Sequence, residues 1–279
     1  MLSLKRDESL LHKYSLSQTI QNSRPLLTVL FAGTLLASPC MADITYADFS
    51  SIDGLTLNGS ASQVGNVLRL TPDLQSQLGT AWYTEQQSVE NGFTSSFQFQ
   101  ITHSGGLADG FWFFVQNHSL TDFPAAYFGM PNAFSVEFDT FENVWDPNGN
   151  HVAFQSCGTN PHTTRHDTGC TLGINSVLPV VLADGVIHTG LVKYAPGVME
   201  LWLDGSMALT APVDLSSLLQ LNDGKAWVGF GTSTGALSEN NDILSWQYTA
   251  VPEPGSIWLL GCALGAVVML RRRTLGKSK

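Results

Sequence analysis

The sequence predicts an all-β fold, an antiparallel jelly roll or β-sandwich spanning residues 43–250. Three observations carry this. Short runs alternate apolar and polar residues, which sends one face of a strand inward and the other outward. Asn-Gly, Asp-Gly, Gly-Gly and Pro-Asn pairs punctuate these runs as turns. No long stretch between the termini carries a persuasive helical period. A region of roughly 200 residues can bury a core without help from disulfides and suits one all-β domain. There is no internal repeat at a fixed period.

The elements follow in chain order. Lys5, Arg6, Lys13 and Arg24 precede an apolar run from Leu26 to Leu36, which ends near Ser38-Pro39-Cys40-Met41-Ala42. Residues 1–42 are therefore expected to be a secretory signal, cut by signal peptidase after Ala42. Phe93-Thr94-Ser95-Ser96-Phe97-Gln98-Phe99-Gln100-Ile101 is a clear alternating strand. Leu107-Ala108-Asp109-Gly110 is a turn that opens the apolar strand Phe111-Trp112-Phe113-Phe114-Val115-Gln116. Ala133-Phe134-Ser135-Val136-Glu137-Phe138 alternates again, as does Val198-Met199-Glu200-Leu201-Trp202-Leu203 before Asp204-Gly205.

The chemistry concentrates between Glu137 and His151. Glu137, Asp139 and Phe141 alternate, so on a strand they share one face. Asn143, Asp146 and His151 follow in a turn-rich segment able to fold back over that face. Carboxylates held that close repel one another and call for a cation. Oxygen ligands suit a hard ion such as Ca²⁺. An added imidazole suits a transition metal such as Mn²⁺. One cluster that offers both kinds of ligand points to a two-metal site.

This spacing, Glu-x-Asp-x-aromatic-x-Asn-x-x-Asp-Pro with a later His, closely resembles the metal-binding segment of legume-type (L-type) lectins. The resemblance covers most of the region from Asp43 to Ala250 and implies a concanavalin-like lectin fold. It implies that Asp139 and Asp146 bridge two ions, that Glu137 and His151 complete a transition-metal site, and that the Phe141 carbonyl and Asn143 side chain complete a calcium site. The family pattern has a water-linked Ser ten residues after the His; here that position is Pro161. Ala108-Asp109-Gly110 looks like the segment whose Asp accepts hydrogen bonds from sugar hydroxyls and is preceded by a cis peptide. Gly129 matches the glycine whose amide donates to the sugar. Gly235, Ala236 and Leu237 fall in the specificity loop, where backbone amides contact ligand. A sugar site needs such fixed donors and acceptors plus an aromatic platform, here the Phe141 ring. Such shallow sites bind monosaccharides weakly and gain affinity through multivalency. Trp145 is read as a loop side chain packed on the sandwich.

Two other classes start from the same residues. Glu137-Phe138-Asp139-Thr140-Phe141-Glu142 is also similar to the catalytic segment of laminarinase-type retaining glycoside hydrolases, which implies Glu137 as nucleophile, Asp139 as helper and Glu142 as acid/base. Retaining chemistry needs the two carboxyl groups about 5–5.5 Å apart. An odd separation puts Glu137 and Glu142 on opposite faces unless a β-bulge intervenes. That reading leaves Asn143, Asp146 and His151 without a purpose, so no enzymatic activity is expected. A structural surface protein that binds no sugar is the third class, opposed by the presence of Asp109 and Asn143.

Val251-Pro252-Glu253-Pro254, an apolar run from Ile257 to Leu270 and Arg271-Arg272-Arg273 follow. Residues 251–279 thus resemble the PEP-CTERM sorting signal of Gram-negative bacteria. The resemblance implies recognition by an exosortase, cleavage near Pro-Glu-Pro, and release or anchoring at the cell surface or in the extracellular space. The run is shorter than the ~20 residues of a stable transmembrane helix, so membrane anchoring through it is expected to be transient. The arginines would keep its end on the cytoplasmic side.

The formal net charge is −10, and of 13 Lys+Arg only Arg69, Arg165, Lys193 and Lys225 lie between signal and tail. So acidic a core repels nucleic acid and anionic membranes and favours cations and neutral glycans, such as an extracellular polysaccharide. Lectins of this fold vary in assembly at the back sheet, which leaves a homo-oligomer open. Cys40 leaves with the signal and Cys262 sits in the tail, so Cys157 and Cys170 remain in the exported core. An oxidising periplasm favours a bridge between them. It would staple a loop whose His162 and His166 are read as solvated side chains, not ligands.

Overall fold

A computed structural model of the chain describes residues 44–121 and 129–252. The expected signal and the apolar and arginine segments of the tail lie outside the described residues. The strands are β1 (Ile44–Tyr46), β2 (Leu55–Gly59), β3 (Ser62–Val64), β4 (Val67–Thr71), β5 (Leu78–Tyr83), β6 (Gln87–Ser88), β7 (Phe93–Thr102) and β8 (Gly110–Gln116). They continue with β9 (Ala133–Asp139), β10 (His151–Gln155), β11 (Thr171–Asn175), β12 (His188–Ala195), β13 (Val198–Leu203), β14 (Ser206–Ala211), β15 (Lys225–Ser233) and β16 (Asn240–Ala250). The short α-helix α1 (Leu215–Leu218) is capped by the Asp214 side chain, and a 3-10 turn covers His166–Thr168. Among the described residues no helix is long and apolar enough to cross a membrane.

The strands form two antiparallel sheets. One runs β14-β13-β12-β7-β16-β4-β3, with β1 also paired to β16; the other runs β11-β10-β9-β8-β15-β5-β2, with β6 also paired to β15. The all-β sandwich expected from the alternation is therefore present. On β7 the alternation is plain: Phe93, Phe97, Phe99 and Ile101 are buried while Thr94 and Gln98 are exposed. They meet Phe111 and Phe113 of β8, Phe134 and Phe138 of β9, Phe154 of β10 and Phe230 of β15 in one core. Phe111 stacks on Phe138 at 4.5 Å, and Phe97 meets Phe230 edge-on at 5.0 Å. Full burial of such a ring contributes about 1.5–3 kcal/mol, and each favourable ring pair about 0.5–1.5 kcal/mol more.

Strands β8, β9 and β10 are buried on both faces. The inner face joins the phenylalanine core. The outer face carries a second apolar cluster of Trp82, Trp112, Phe114, Met130 and Ala133, and beside it the polar residues of the next section. Gly110 stands opposite Asp139, where β8 meets the end of β9. Its φ is +91°, and a Cβ there would lie 1.9 Å from the Phe138 carbonyl oxygen, so no other residue fits without moving a strand.

Candidate metal centre and ligand site

Register assembles the site. Gly110, Asp139 and His151 are lateral partners across β8, β9 and β10, so three segments distant in sequence end in one row. Glu137 lies two residues deeper on β9, opposite Trp112 on one side and Ala153 on the other. Because side chains alternate, Glu137 and Asp139 both point away from the phenylalanine core.

The loop after β9 then folds back. Phe141 N–H donates to Asp139 Oδ1 at 2.8 Å, Asn143 N–H to Asp146 Oδ2 at 2.7 Å, and Asp146 N–H to the Asn143 carbonyl at 3.1 Å. This brings Asp139, Asp146 and His151 together, with one ligand atom of each within 4.8 Å of the others. A second group, Glu137, His151 and His166, meets the same criterion and shares His151.

The electrostatics describe anions short of a counter-charge. Burial, then the charges of Glu137 and Asp146, push the Asp139 carboxyl up to about 10. Burial also raises Asp146, whose carboxylate is 1 % exposed. Burial and then the Asp146 charge push Asp109 up to about 6. Burial alone would raise Glu137 as well, but the imidazoles of His151 and His166 outweigh it and hold it below the usual range. Trp112 Nε1–H donates to Glu137 Oε1 at 3.2 Å, while Glu137 Oε2 is buried with no hydrogen-bond partner. His151 Nδ1 is 2.8 Å from the Asn148 carbonyl, which can only accept, so Nδ1 carries the proton and Nε2 presents its lone pair to the cluster. An orphaned carboxylate oxygen, mutually repelling carboxylates and an oriented imidazole together make a donor set that fits a bound cation.

Asp109 sits at the mouth of this cluster. The peptide before it is cis, as the resemblance implies. Its N–H donates to the Ser233 carbonyl at 3.3 Å, tying it to the end of β15. Gly235 follows that strand, and a Cβ on it would lie 3.7 Å from Asp109 Oδ2. Gly235 and Ala236 are exposed, and their carbonyls accept from Ser76 N–H and the Gln75 side chain. The structure thus brings Asp109, Gly235 and the Asp139–Asp146–His151 group to one end of the sheet. Trp145 lies under the Arg165 guanidinium at 4.6 Å, a cation–π contact on the same rim.

Two expectations need correction. The Gly129 amide donates to the His162 carbonyl at 2.9 Å, so it is engaged with protein rather than turned to a ligand. His162 and His166 are not solvated. His162 is 2 % exposed; its Nε2 is 3.0 Å from Ser135 Oγ, and burial pulls its pKa down to about 4. The His166 imidazole is 8 % exposed and lies 3.2 Å from Glu137 Oε2. The cause is the Cys157–Cys170 disulfide together with the β10–β11 pairing, which fold the intervening loop onto the sheet.

Glu239 was missed by the motif reading. It accepts from Gly110 N–H at 2.7 Å and from Thr140 Oγ1 at 3.0 Å, so it clamps the Asp109 turn to the end of β9. Burial pushes it up to about 7. No local signal marks it, because both partners lie more than 90 positions earlier in the chain. Glu142, the acid/base of the hydrolase alternative, is exposed in the loop beyond β9, whereas Glu137 is 1 % exposed beneath the cluster.

Comparisons with known proteins agree with this architecture. The model of the legume lectin domain matches residues 42–257, and that of the PEP-CTERM protein-sorting motif matches residues 250–273. Lectin 8 of Medicago truncatula is 26 % identical over 271 residues, covering 81 % of this chain and 94 % of that protein. Lectin I-B4 from Griffonia simplicifolia, solved metal-free, superposes with a TM-score of 0.62 at 22 % identity, covering 75 % of this chain and 98 % of that one. The lectin from Bauhinia forficata, solved in complex with GalNAc, gives a TM-score of 0.60 at 23 % identity, covering 74 % and 96 %. The chain belongs to the legume lectin domain family and carries a PEP-CTERM sorting motif behind that domain.

Proposed function

We propose that the protein is an exported, calcium-dependent lectin that binds a neutral glycan of the extracellular polysaccharide. The observation that supports this is the row Gly110–Asp139–His151, which brings the turn that carries Asp109, with Gly235 beside it, to the strand ends that carry the carboxylate cluster. Asp139, Asp146, the Asn143 side chain and the Phe141 carbonyl would hold calcium. Glu137, Asp139, Asp146 and His151 would hold Mn²⁺ or another transition metal. Bound cations neutralise the cluster and so keep Asp109 ionised and in place as an acceptor. Asp109 then accepts from sugar hydroxyls, Asn143 donates and accepts, the Phe141 ring packs on the apolar sugar face, and amides of Gly235 and Ala236 complete the contact. The sorting motif supports export, with residues 1–42 as signal, 43–250 as the binding domain and 251–279 as a tail for exosortase recognition and transient anchoring at the envelope of a Gram-negative bacterium.

Glycan-array binding of the purified chain in calcium and manganese, then in EDTA, tests the reading. Galactose-type sugars are a reasonable first probe, given the GalNAc in the Bauhinia structure. Saturable binding that disappears in EDTA and in Asp109→Ala is expected. Binding that survives both would refute it.

A further inference from the structure

We propose that His166 is a direct ligand of the transition-metal site, so that the site offers a second imidazole beside its carboxylates and prefers zinc or a similar late first-row dication to manganese. This rests on the metal half of the reading above and is independent of sugar binding.

The geometry is specific. His166 Nε2 lies 3.0 Å from His151 Nε2, 3.2 Å from Glu137 Oε2 and 3.6 Å from Asp146 Oδ1. His151 Nε2 is itself 3.7 Å from Glu137 Oε2. Two ring nitrogens and a carboxylate oxygen thus converge on one point. Glu137, 1 % exposed, aims an oxygen without a hydrogen-bond partner at that point. Both imidazoles are oriented from behind. The Asn148 carbonyl takes His151 Nδ1, and Thr171 Oγ1 lies 2.9 Å from His166 Nδ1. Outer contacts of that kind fix ring orientation for a metal at the opposite nitrogen. The loop is held as well: the disulfide spans 13 residues around His166, and the Gln155 side chain donates to the Thr164 carbonyl at 2.9 Å.

The legume-type pattern draws this site from Glu137, Asp139, Asp146 and His151, with a serine acting through water at the position of Pro161. A second imidazole in direct reach changes the donor chemistry. Carboxylate and water ligands suit manganese, whereas imidazole suits zinc, nickel and copper, which also bind more tightly in the general order of divalent affinities. Two histidines and a glutamate form a common set of protein ligands for zinc.

The test uses the full chain stripped with EDTA and refilled with calcium. Zinc affinity is measured by chelator competition and manganese affinity by electron paramagnetic resonance, in the wild type, His166→Ala and His166→Gln. Wild type is expected to favour zinc. Loss of the imidazole should weaken zinc by at least the roughly ten-fold that loss of an outer-shell partner costs, and should move manganese less. Melting curves in calcium check that each variant is folded. X-ray absorption of the zinc-loaded wild type needs no variant and is expected to count two imidazoles. A count of one, or zinc affinity unchanged in both variants, overturns the proposal. Calcium-dependent sugar binding with no transition-metal binding overturns it and leaves the lectin reading standing. Zinc binding that needs His166 in a protein that binds no sugar sinks the lectin reading and leaves this one.

Discussion

With cations in the carboxylate cluster, as proposed, stripping them should change both how stable the protein is and how that stability varies with pH. In the metal-free protein Asp109 titrates at about 6 and Asp139 at about 10, against 3.8 when exposed. A carboxyl raised on folding contributes stability that is present below the unfolded value and lost as pH climbs through the folded one. The metal-free protein should therefore be most stable near pH 4 and weaken through pH 6 and beyond. Asp109 alone gives up at most about 3 kcal/mol across that window, at about 1.36 kcal/mol per pKa unit. Bound cations act oppositely, because protons compete for the same carboxylates and the imidazole. At a free calcium of about 100 times Kd the gain is about 2.7 kcal/mol, or about 5–10 °C in Tm for a domain of this size. The assay is tryptophan-fluorescence melting in calcium and in EDTA from pH 5 to pH 8. The gap should be widest at pH 8 and close towards pH 5. Equal Tm in calcium and EDTA at pH 8, or a gap that grows as pH falls, would refute the reasoning.

Three further outcomes follow from contacts elsewhere. Glu239→Ala leaves the Gly110 N–H and Thr140 O–H without their acceptor in a buried place, at a cost of about 1–3 kcal/mol each; it should lower Tm and weaken sugar affinity together, while Glu239→Gln does far less of both. His188 is pulled down by burial, but its contacts to Asp204 at 2.7 Å and Asp184 at 3.2 Å outweigh this and raise it above 6.5. The stability that it contributes is present below pH 6.5 and lost above its folded value, so His188→Gln should lower Tm more at pH 6 than at pH 9, as read by paired melts. Opening the Cys157–Cys170 loop by replacing both cysteines with serine unties two positions 13 apart in sequence and should cost about 3 kcal/mol in urea unfolding.

Local pattern made much of the fold readable. The Phe93–Ile101 alternation became β7 (Phe93–Thr102), Ala133–Phe138 became β9 (Ala133–Asp139), and Val198–Leu203 is β13 itself. In each, the period of two and the apolar side chains act over neighbouring residues, and neighbouring residues are what a linear reading sees. What β8, β9 and β10 bury on their outer face was not readable. Their second apolar cluster gathers Trp82, Trp112 and Met130 from three separate segments.

The site divides the same way. That Glu137, Asp139, Asp146 and His151 would come together could be read because they belong to one continuous segment, and the fold does gather them. Linear pattern was enough for the sandwich, for the acidic loop after β9 and for the pair of cysteines left to bond between signal and tail. Long-range packing, by contrast, is what makes His166 reach Glu137, joins the Asp109 turn to Thr140 through Glu239, and occupies the Gly129 amide with the His162 carbonyl. Each of these depends on the register between strands and on the path of a closed loop. Those are set by the summed packing of the whole core, and no short window of residues contains them.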